Sequence, residues 1–312
     1  MIIDSKILQD KYATLLYRAA PEKVKKTEQL LKDNDITFQK SDGEENHWNF
    51  DMSAGMYKYV QFNDQALAVF WTGSFVAWKA FTLASQLEQA ALSVISKHNK
   101  MFSDDNYDWV QVKRELDFAT KQIDFTELLP ELSFIETIKN TKAQKIEDVI
   151  WSSLIPEMGE LCTDNIENKA ASELAHIALA WALLHEIQHI KLQRKGTASD
   201  LNDQQGCHNE EFICDKFAFD YLTSEISNYA NCEPGTDEYR IILKRELGIM
   251  FALFSMIVSS KDNWNETKTH PKLQDRLSRI EQCLSTEEAK HISKNMFLVL
   301  QGNNGWSSCP CT

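Results

Sequence analysis

A short motif inside an apolar stretch constrains this chain more than any other feature. Residues 174–184 read LAHIALAWALL and lead directly into HEIQH at residues 185–189. The apolar run is too short to span a membrane, which needs about 20 apolar residues, and this favours a helix in a protein core. In such a helix His185 and His189 lie four residues apart and project from one face, where both imidazoles can bind one ion. Gly196 then fits a helix C-cap.

Glu186 gives this motif a catalytic interpretation. It follows His185 by one residue, about 100° around a helix, so its carboxylate can reach a water on the metal without binding the metal itself. Two neutral imidazoles that hold zinc, and a carboxylate that takes the proton from its water, are the chemistry of H-E-x-x-H. The alternative is that His185 and His189 are two histidines of an amphipathic helix with no metal, so a third ligand is required.

The third ligand is expected in the next helical segment, GCHNEEFICDKFAFDYL at residues 206–222. Glu211 would complete a site of two histidines and one glutamate with a fourth position for water, a known catalytic arrangement of zinc. Asp215, four residues further along the same helical face, would accept the second N–H of a zinc-binding imidazole and fix its tautomer. The alternative for both acidic residues is an exposed helix face.

Three neighbouring residues compete with Glu211 as the third ligand. Glu210 is adjacent, but the residue four positions after it is Cys214, which offers no carboxylate to orient a histidine. Cys207 and His208 are good metal ligands by chemistry, but they are expected to precede the helix. The spacing therefore favours Glu211, and Cys214 is predicted to be a small buried residue.

These residues resemble the gluzincin metallopeptidases. HEIQH followed by EEFICDKFA resembles the H-E-x-x-H…E-x-x-x-D arrangement of that clan. THPKLQDRLSRIEQCL at residues 269–284 is similar to the T-H-P…R-[IL]…L segment that follows the zinc helices in the HtpX-like and CAAX-endopeptidase families. The resemblance implies that His270 donates a hydrogen bond to the oxyanion and that Arg276 is a structural or substrate-binding cation. The alternative for His270 is a loop residue before a helix-starting proline.

The chain looks most like the Lit-type phage-exclusion peptidases, because HtpX-like enzymes carry membrane spans that this sequence does not predict. That resemblance implies a zincin-like fold and a site-specific protease that acts on a host protein. The known target of that family is a translation factor, elongation factor Tu. A cytoplasmic peptidase must also be restrained, so a regulatory partner is compatible with the sequence.

The pattern along the chain predicts an α+β fold, with a small N-terminal antiparallel sheet and a predominantly helical C-terminal half that carries the active-site helix. Residues 56–62 and 66–78 are aromatic and β-branched, and Asn63-Asp64 between them indicates the turn of a strand pair. Helical periodicity marks further elements at residues 80–100, 171–195, 209–230, 237–260 and 271–284.

No linker or repeat divides the sequence, which predicts a single catalytic domain over residues 1–312. Within it we expect an N-terminal helix and sheet subregion over about 1–100 and a helical zinc-binding subregion over about 101–300. Residues 301–312 form a tail that contains Cys309 and Cys311, whose role the sequence leaves open.

The charge balance excludes one class of partner. Asp and Glu number 46 against 33 Lys and Arg, for a formal net charge of −13, so no nucleic acid is expected. Seven scattered cysteines and a start without a signal-peptide pattern favour the cytoplasm. The apolar run at residues 247–258 is also short of a membrane span, so no membrane association is expected, and the alternative is a membrane-associated peptidase that uses this run.

These features predict a zinc-dependent endopeptidase that cleaves an intracellular protein. The alternative is a non-catalytic or regulatory zinc protein on the same fold, such as a sensor or a toxin-immunity partner. An intact Glu186 favours the enzyme, because a structural site needs no general base. A structural site would instead have four protein ligands, which Cys207 or His208 would complete.

Overall fold

The computed structural model describes residues 5–41, 52–55, 58–98, 109–141, 155, 165–230, 237–260 and 264–302. These residues form three short strands, β1 (Thr37–Lys40), β2 (Met52–Gly55) and β3 (Tyr59–Phe62). The helices are α1 (Ser5–Ala19), α2 (Val24–Asp33), α3 (Asp64–His98), α4 (Trp109–Lys121), α5 (Leu129–Asn140), α6 (Ile166–Lys195), α7 (Gln204–Thr223), α8 (Ile226–Ala230), α9 (Glu238–Ser259), α10 (Leu273–Cys283) and α11 (Glu287–Gly302). A mostly helical chain with one small sheet is the α+β class that the sequence predicted.

The strands form one mixed sheet in the order β1-β3-β2. β3 pairs in parallel with β1, where Val60 lies opposite Phe38, and antiparallel with β2, where Val60 lies opposite Ala54. β3 falls within the strand predicted at residues 56–62. The small N-terminal sheet is therefore confirmed, but it is mixed and not purely antiparallel, and residues 66–78 are not part of it.

Residues 66–78 belong to α3, and the predicted strand there is wrong. Asn63 does not form a hairpin turn, because its Oδ1 accepts a hydrogen bond from the backbone N–H of Ala66 at 2.8 Å and so caps the helix. Residues 65–77 are buried on every side of the helix. A helix that is apolar all round has no 3.6-residue period to distinguish it from a buried strand, and its aromatic and β-branched residues favoured the strand.

Helices α3, α6 and α9 pack on one another and form the centre of the core. Helices α3 and α9 approach each other closely at Gly73. A Cβ atom on Gly73 would lie 2.4 Å from Oγ and 2.8 Å from Cα of Ser255. Since no side chain fits between these backbones, glycine is needed where the two helices cross.

Helix α3 is the one described helix long and apolar enough to cross a membrane by length and composition. Of its most apolar window, 78% is buried inside the protein, which is also the property of a core helix. The apolar runs at residues 174–184 and 247–258 lie within α6 and α9 and are mostly buried there, as expected from their length.

The second half of α6 and the helices after it position the site. The predicted C-cap is confirmed: Gly196 has φ 68°, and its N–H bonds Gln193 O at 3.0 Å. The helices predicted at residues 171–195, 237–260 and 271–284 are α6, α9 and α10, and the one predicted at 209–230 is α7 followed by α8. Cys309 and Cys311 of the predicted tail lie outside the described residues.

Candidate active site

His185 and His189 converge as the helical spacing predicts. Their Nε2 atoms lie 3.1 Å apart on one face of α6. His185 is buried, with 5% of its surface exposed, and His189 is half-buried. Both imidazoles therefore present one ring nitrogen to the same point at the protein interior.

A carboxylate from α7 holds the other ring nitrogen of each histidine. Nδ1 of His185 lies 2.9 Å from Oδ1 of Asp215, and Nδ1 of His189 lies 2.7 Å from Oε1 of Glu210. A carboxylate only accepts, so each Nδ1 carries the hydrogen and each Nε2 of a neutral imidazole presents a lone pair. Two lone pairs that face each other at this distance favour a cation between them.

The carboxylate of Glu211 brings a third potential metal ligand to the same point. Its Oε2 lies 3.4 Å from Nε2 of His185, and its Oε1 lies 3.3 Å from Nε2 of His189. The side chain is buried, and its Oε2 accepts no hydrogen bond from any described residue. Although burial opposes ionisation, the imidazoles of His185 and His189 in their protonated form and the guanidinium of Arg276 hold the pKa of Glu211 well below its usual range.

These three side chains fit a zinc ion. Ligand atoms around a tetrahedral zinc with bonds of about 2.0–2.1 Å lie about 3.3–3.4 Å apart. The separations between the donor atoms of His185, His189 and Glu211 are 3.1, 3.4 and 3.3 Å. The donor set of two imidazoles and one carboxylate is also one that catalytic zinc sites use.

Cys214 lies beside the same histidines, which the sequence did not predict. One ligand atom from each of His185, His189 and Cys214 lies within 4.8 Å of the other two. The predicted burial of Cys214 is confirmed, and that burial raises the pKa of its thiol to about 12. Cys214 is therefore a rival of Glu211, whose carboxylate oxygens lie 3.3–3.4 Å from the Nε2 atoms of both histidines.

Arg276 is a buried cation between two carboxylates. Its Nε and Nη2 donate to Asp215 at 2.9 and 2.6 Å, and its Nη1 lies 3.4 Å from Oε2 of Glu211. Burial alone would raise the pKa of Asp215, but Arg276 and His185 lower it. Arg276 thus holds both carboxylates ionised and in place, which favours a structural role over substrate binding.

Glu186 faces an open cleft of about 860 Å³. Ala54 of β2, His189, Glu211 and His270 also line this cleft. Glu186 is half-buried, and burial raises its pKa. Its carboxylate therefore lies beside the proposed metal position without being one of the three converging donors.

His270 approaches the site from the loop before α10. Its Nε2 lies 3.6 Å from Oε1 of Glu211, while its Nδ1 lies 2.8 Å from the hydroxyl of Thr269. The loop is held by His208, whose Nε2 donates to the carbonyl oxygen of Thr267 at 2.8 Å. His270 is therefore more than a residue before a proline, although 58% of its side chain is exposed.

The two other competitors for the third ligand have different partners. His208 uses its Nε2 for Thr267, and the thiol of Cys207 donates to the carbonyl oxygen of Asp200 at 3.4 Å. Neither joins the three converging donors, although both lie within α7 and not before it as expected.

A comparison with protein-family models decides the family. The model of the Peptidase U49 family matches residues 60–296, about three quarters of the chain. The chain belongs to the Peptidase U49 family. It is therefore a peptidase, a hydrolase of peptide bonds. No curated protein and no solved structure matches the chain in the corresponding comparisons.

The matched region of this U49 peptidase contains the whole candidate site, from His185 to Arg276. Strands β1 and β2 precede the match, although β2 lines the cleft. The residue that sequence reasoning assigned least well is Glu210, which contacts Nδ1 of His189. The sequence could have indicated this role of Glu210, because the imidazole of His189, like that of His185, needs an acceptor for its second N–H.

Proposed function

We propose that the protein is a zinc-dependent endopeptidase that hydrolyses a peptide bond of an intracellular protein. The observation that carries the proposal is the convergence of His185, His189 and Glu211 on one point, with Glu186 beside it in an open cleft. Such a constellation in a member of a peptidase family is typical of metal-assisted hydrolysis. The same helix pair supports the zincin-like fold that the sequence predicted.

The three converging residues would hold Zn²⁺. When bound there, zinc would supply a Lewis acid that polarises the substrate carbonyl and lowers the pKa of a water. Asp215 and Glu210 fix the tautomer of both histidines, so that each Nε2 is free to act as a ligand.

Glu186 is the proposed general base and acid. Its carboxylate oxygen takes a proton from the attacking water and later delivers it to the nitrogen of the departing amine. The position supports this role, because Glu186 lines the cleft and directly follows His185 on α6.

His270 would stabilise the oxygen of the scissile carbonyl. When the hydroxyl of Thr269 donates to Nδ1, the hydrogen of the neutral imidazole is on Nε2, the atom nearest Glu211. That N–H can donate to a carbonyl oxygen as negative charge develops on it. Thr269 thereby fixes the tautomer that the reaction needs.

Strand β2 gives the substrate a place to bind. It pairs with β3 on one edge, and no described strand pairs with its other edge, while Met52, Ser53 and Ala54 line the cleft. An extended peptide added along β2 would run past Glu186. A protein substrate is therefore proposed to enter the cleft as a strand.

The test is a comparison of the parent protein with Glu186→Gln. Both should bind one zinc per chain, measured by elemental analysis after purification without chelator, and only the parent should generate a discrete new protein terminus in expressing cells. Absence of stoichiometric zinc in the parent, or equal cleavage by the variant, would overturn the proposal. The identity of the cleaved protein tests the Lit-type resemblance, which implies phage exclusion and a host translation factor in the cytoplasm.

A second candidate function rests on Cys214. If its thiolate joined His185, His189 and Glu211, the site would have four protein ligands, as structural zinc sites have. The protein would then be a non-catalytic zinc protein that recognises a partner. Zinc K-edge absorption separates the two, since a zinc–sulfur distance of about 2.3 Å is expected only for the structural site.

A further inference from the structure

Glu210 connects the proposed metal site to the wall of the cleft. Its Oε1 accepts from Nδ1 of His189 at 2.7 Å, and its Oε2 accepts from the backbone N–H of Ser199 at 2.5 Å. Ser199 lies in the loop between α6 and α7, residues 196–203. One carboxylate thus holds a histidine on α6 and a loop that lines the cleft.

The two carboxylates that orient the histidines differ in what holds them. Asp215 is fixed by two hydrogen bonds from buried Arg276. Glu210 forms an ion pair with no lysine or arginine among the described residues, and its second oxygen is held by the N–H of Ser199. The orientation of His189 therefore depends on the position of a loop, whereas that of His185 depends on a side chain in the core.

The loop that Glu210 holds is placed to contact substrate. Ala198, Ser199 and Leu201 line the cleft together with Glu186. The loop also meets the segment that carries His270, because Nζ of Lys268 donates to Oδ1 of Asn202 at 3.0 Å. A peptide bound in the cleft would thus contact the 196–203 loop, in which Ser199 is hydrogen-bonded to Glu210.

We propose that Glu210 is a positioning residue that couples the order of the 196–203 loop to metal binding by His189. The inference rests on the proposed zinc site and extends it to the substrate-binding wall. Coupling of this kind is reciprocal: zinc lowers the equilibrium constant for opening of the loop by the same factor by which an ordered loop increases the affinity for zinc. A substrate peptide that orders the loop therefore increases the affinity of the site for zinc.

The coupling requires a carboxylate. Glu210 accepts with a different oxygen from each of two donors, His189 and Ser199. A glutamine has a single acceptor oxygen, and its NH₂ group would face one of these two donors. Glu210→Gln therefore breaks one of the two links while keeping the size of the side chain.

The experiment compares hydrogen exchange of the Ser199 amide, with and without zinc, in the parent, Glu210→Gln and the exposed control Glu167→Gln on α6. In the parent and the control, zinc should slow exchange. In Glu210→Gln this protection should be lost, and zinc affinity measured by chelator competition should fall about 10–100-fold. Unchanged protection and affinity in Glu210→Gln would overturn the inference.

A second pair of variants tests the loop end of the link. Ser199→Ala keeps the backbone N–H but removes the side-chain hydrogen bond that Ser199 also makes to Glu210, so it should weaken zinc binding less than Ser199→Pro, which removes the backbone N–H and should bind zinc about 10-fold more weakly. Equal zinc affinities of Ser199→Ala and Ser199→Pro would exclude the coupling, provided that thermal unfolding shows that both variants are folded. If the parent binds no zinc, the proposed function fails. Even then, faster exchange of the Ser199 amide in zinc-free Glu210→Gln than in the zinc-free parent would show that the hydrogen bond from Ser199 to Glu210 exists.

Discussion

Arg276 holds Asp215 through two hydrogen bonds inside the protein, from Nε at 2.9 Å and from Nη2 at 2.6 Å. Both side chains are at most 5% exposed. The pair joins α10 to α7, and it leaves Oδ1 of Asp215 in contact with Nδ1 of His185. The orientation of a proposed zinc ligand is thus fixed by a residue 91 positions further along the sequence, which lies outside both helices of the motif.

Removal of this cation should destabilise the fold. Arg276→Ala leaves Asp215 and Glu211 buried without their shared counter-charge, which costs about 3–5 kcal/mol when one partner of a buried pair is lost. Urea unfolding measures the loss. The control is Arg279→Ala on the same helix, where an exposed guanidinium lies over the ring of Phe212 and should contribute about 0.5–1 kcal/mol. Equal effects of both variants would contradict the structural role of Arg276.

The third ligand is predicted to be Glu211 and not Cys214. Glu211→Gln should lose stoichiometric metal, because a neutral amide is a poor ligand at a position that faces two imidazoles at 3.3–3.4 Å. Cys214→Ser should retain the metal. Cobalt substitution provides the measurement: a thiolate-to-cobalt charge-transfer band in the parent that disappears in Cys214→Ser would mean that the sulfur is a ligand.

His270→Ala should separate catalysis from metal binding. Removal of one donor to a developing oxyanion lowers kcat by about 10²–10³-fold. Zinc affinity should be unchanged, because Nε2 of His270 faces Glu211 at 3.6 Å and is not one of the converging donors. Thr269→Ala should have a smaller effect in the same direction. A loss of zinc in His270→Ala would show instead that this residue holds the metal site together.

Gly73→Ala should test the crossing of α3 and α9. The added Cβ would lie 2.4 Å from Oγ of Ser255, so the helices must separate or the side chain must move. Overpacking of this kind costs about 1–3 kcal/mol. Denaturant unfolding measures it, with Ser278→Ala at an exposed position of α10 as the control, where a change within about 0.5 kcal/mol is expected.

The parts of the site that were predictable depend on the spacing within one helix. His185 and His189 on α6, and Glu211 and Asp215 on α7, share faces because each pair is four residues apart, which the sequence shows directly. The contacts of Glu210 and Cys214 with these histidines depend on how α7 is rotated against α6. That rotation is set by packing in the core, and no local pattern reports it.

The errors in the predicted fold have a related physical cause. The buried half of α3 is in contact with protein on all sides, so its apolar residues show neither the period of a helix nor that of a strand. The cap at Asn63 was the available local signal, but Asn and Asp are also common in turns. The pairing of β1 with β3 joins segments that the sequence gives no means of matching, since strand partners are chosen by tertiary contacts.

The ligand-bearing turn of α6 follows an uninterrupted series of buried residues, from Ile177 to Leu184, that pack in the centre of the core. The conformational entropy of His185 is therefore lost when the chain folds and not when an ion arrives. In this respect the proposed site would differ from that of a zinc finger, whose fold forms only with its metal. We therefore expect the chain to fold before an ion binds, and the supply of metal would then set the activity of the proposed zinc peptidase without changing its fold.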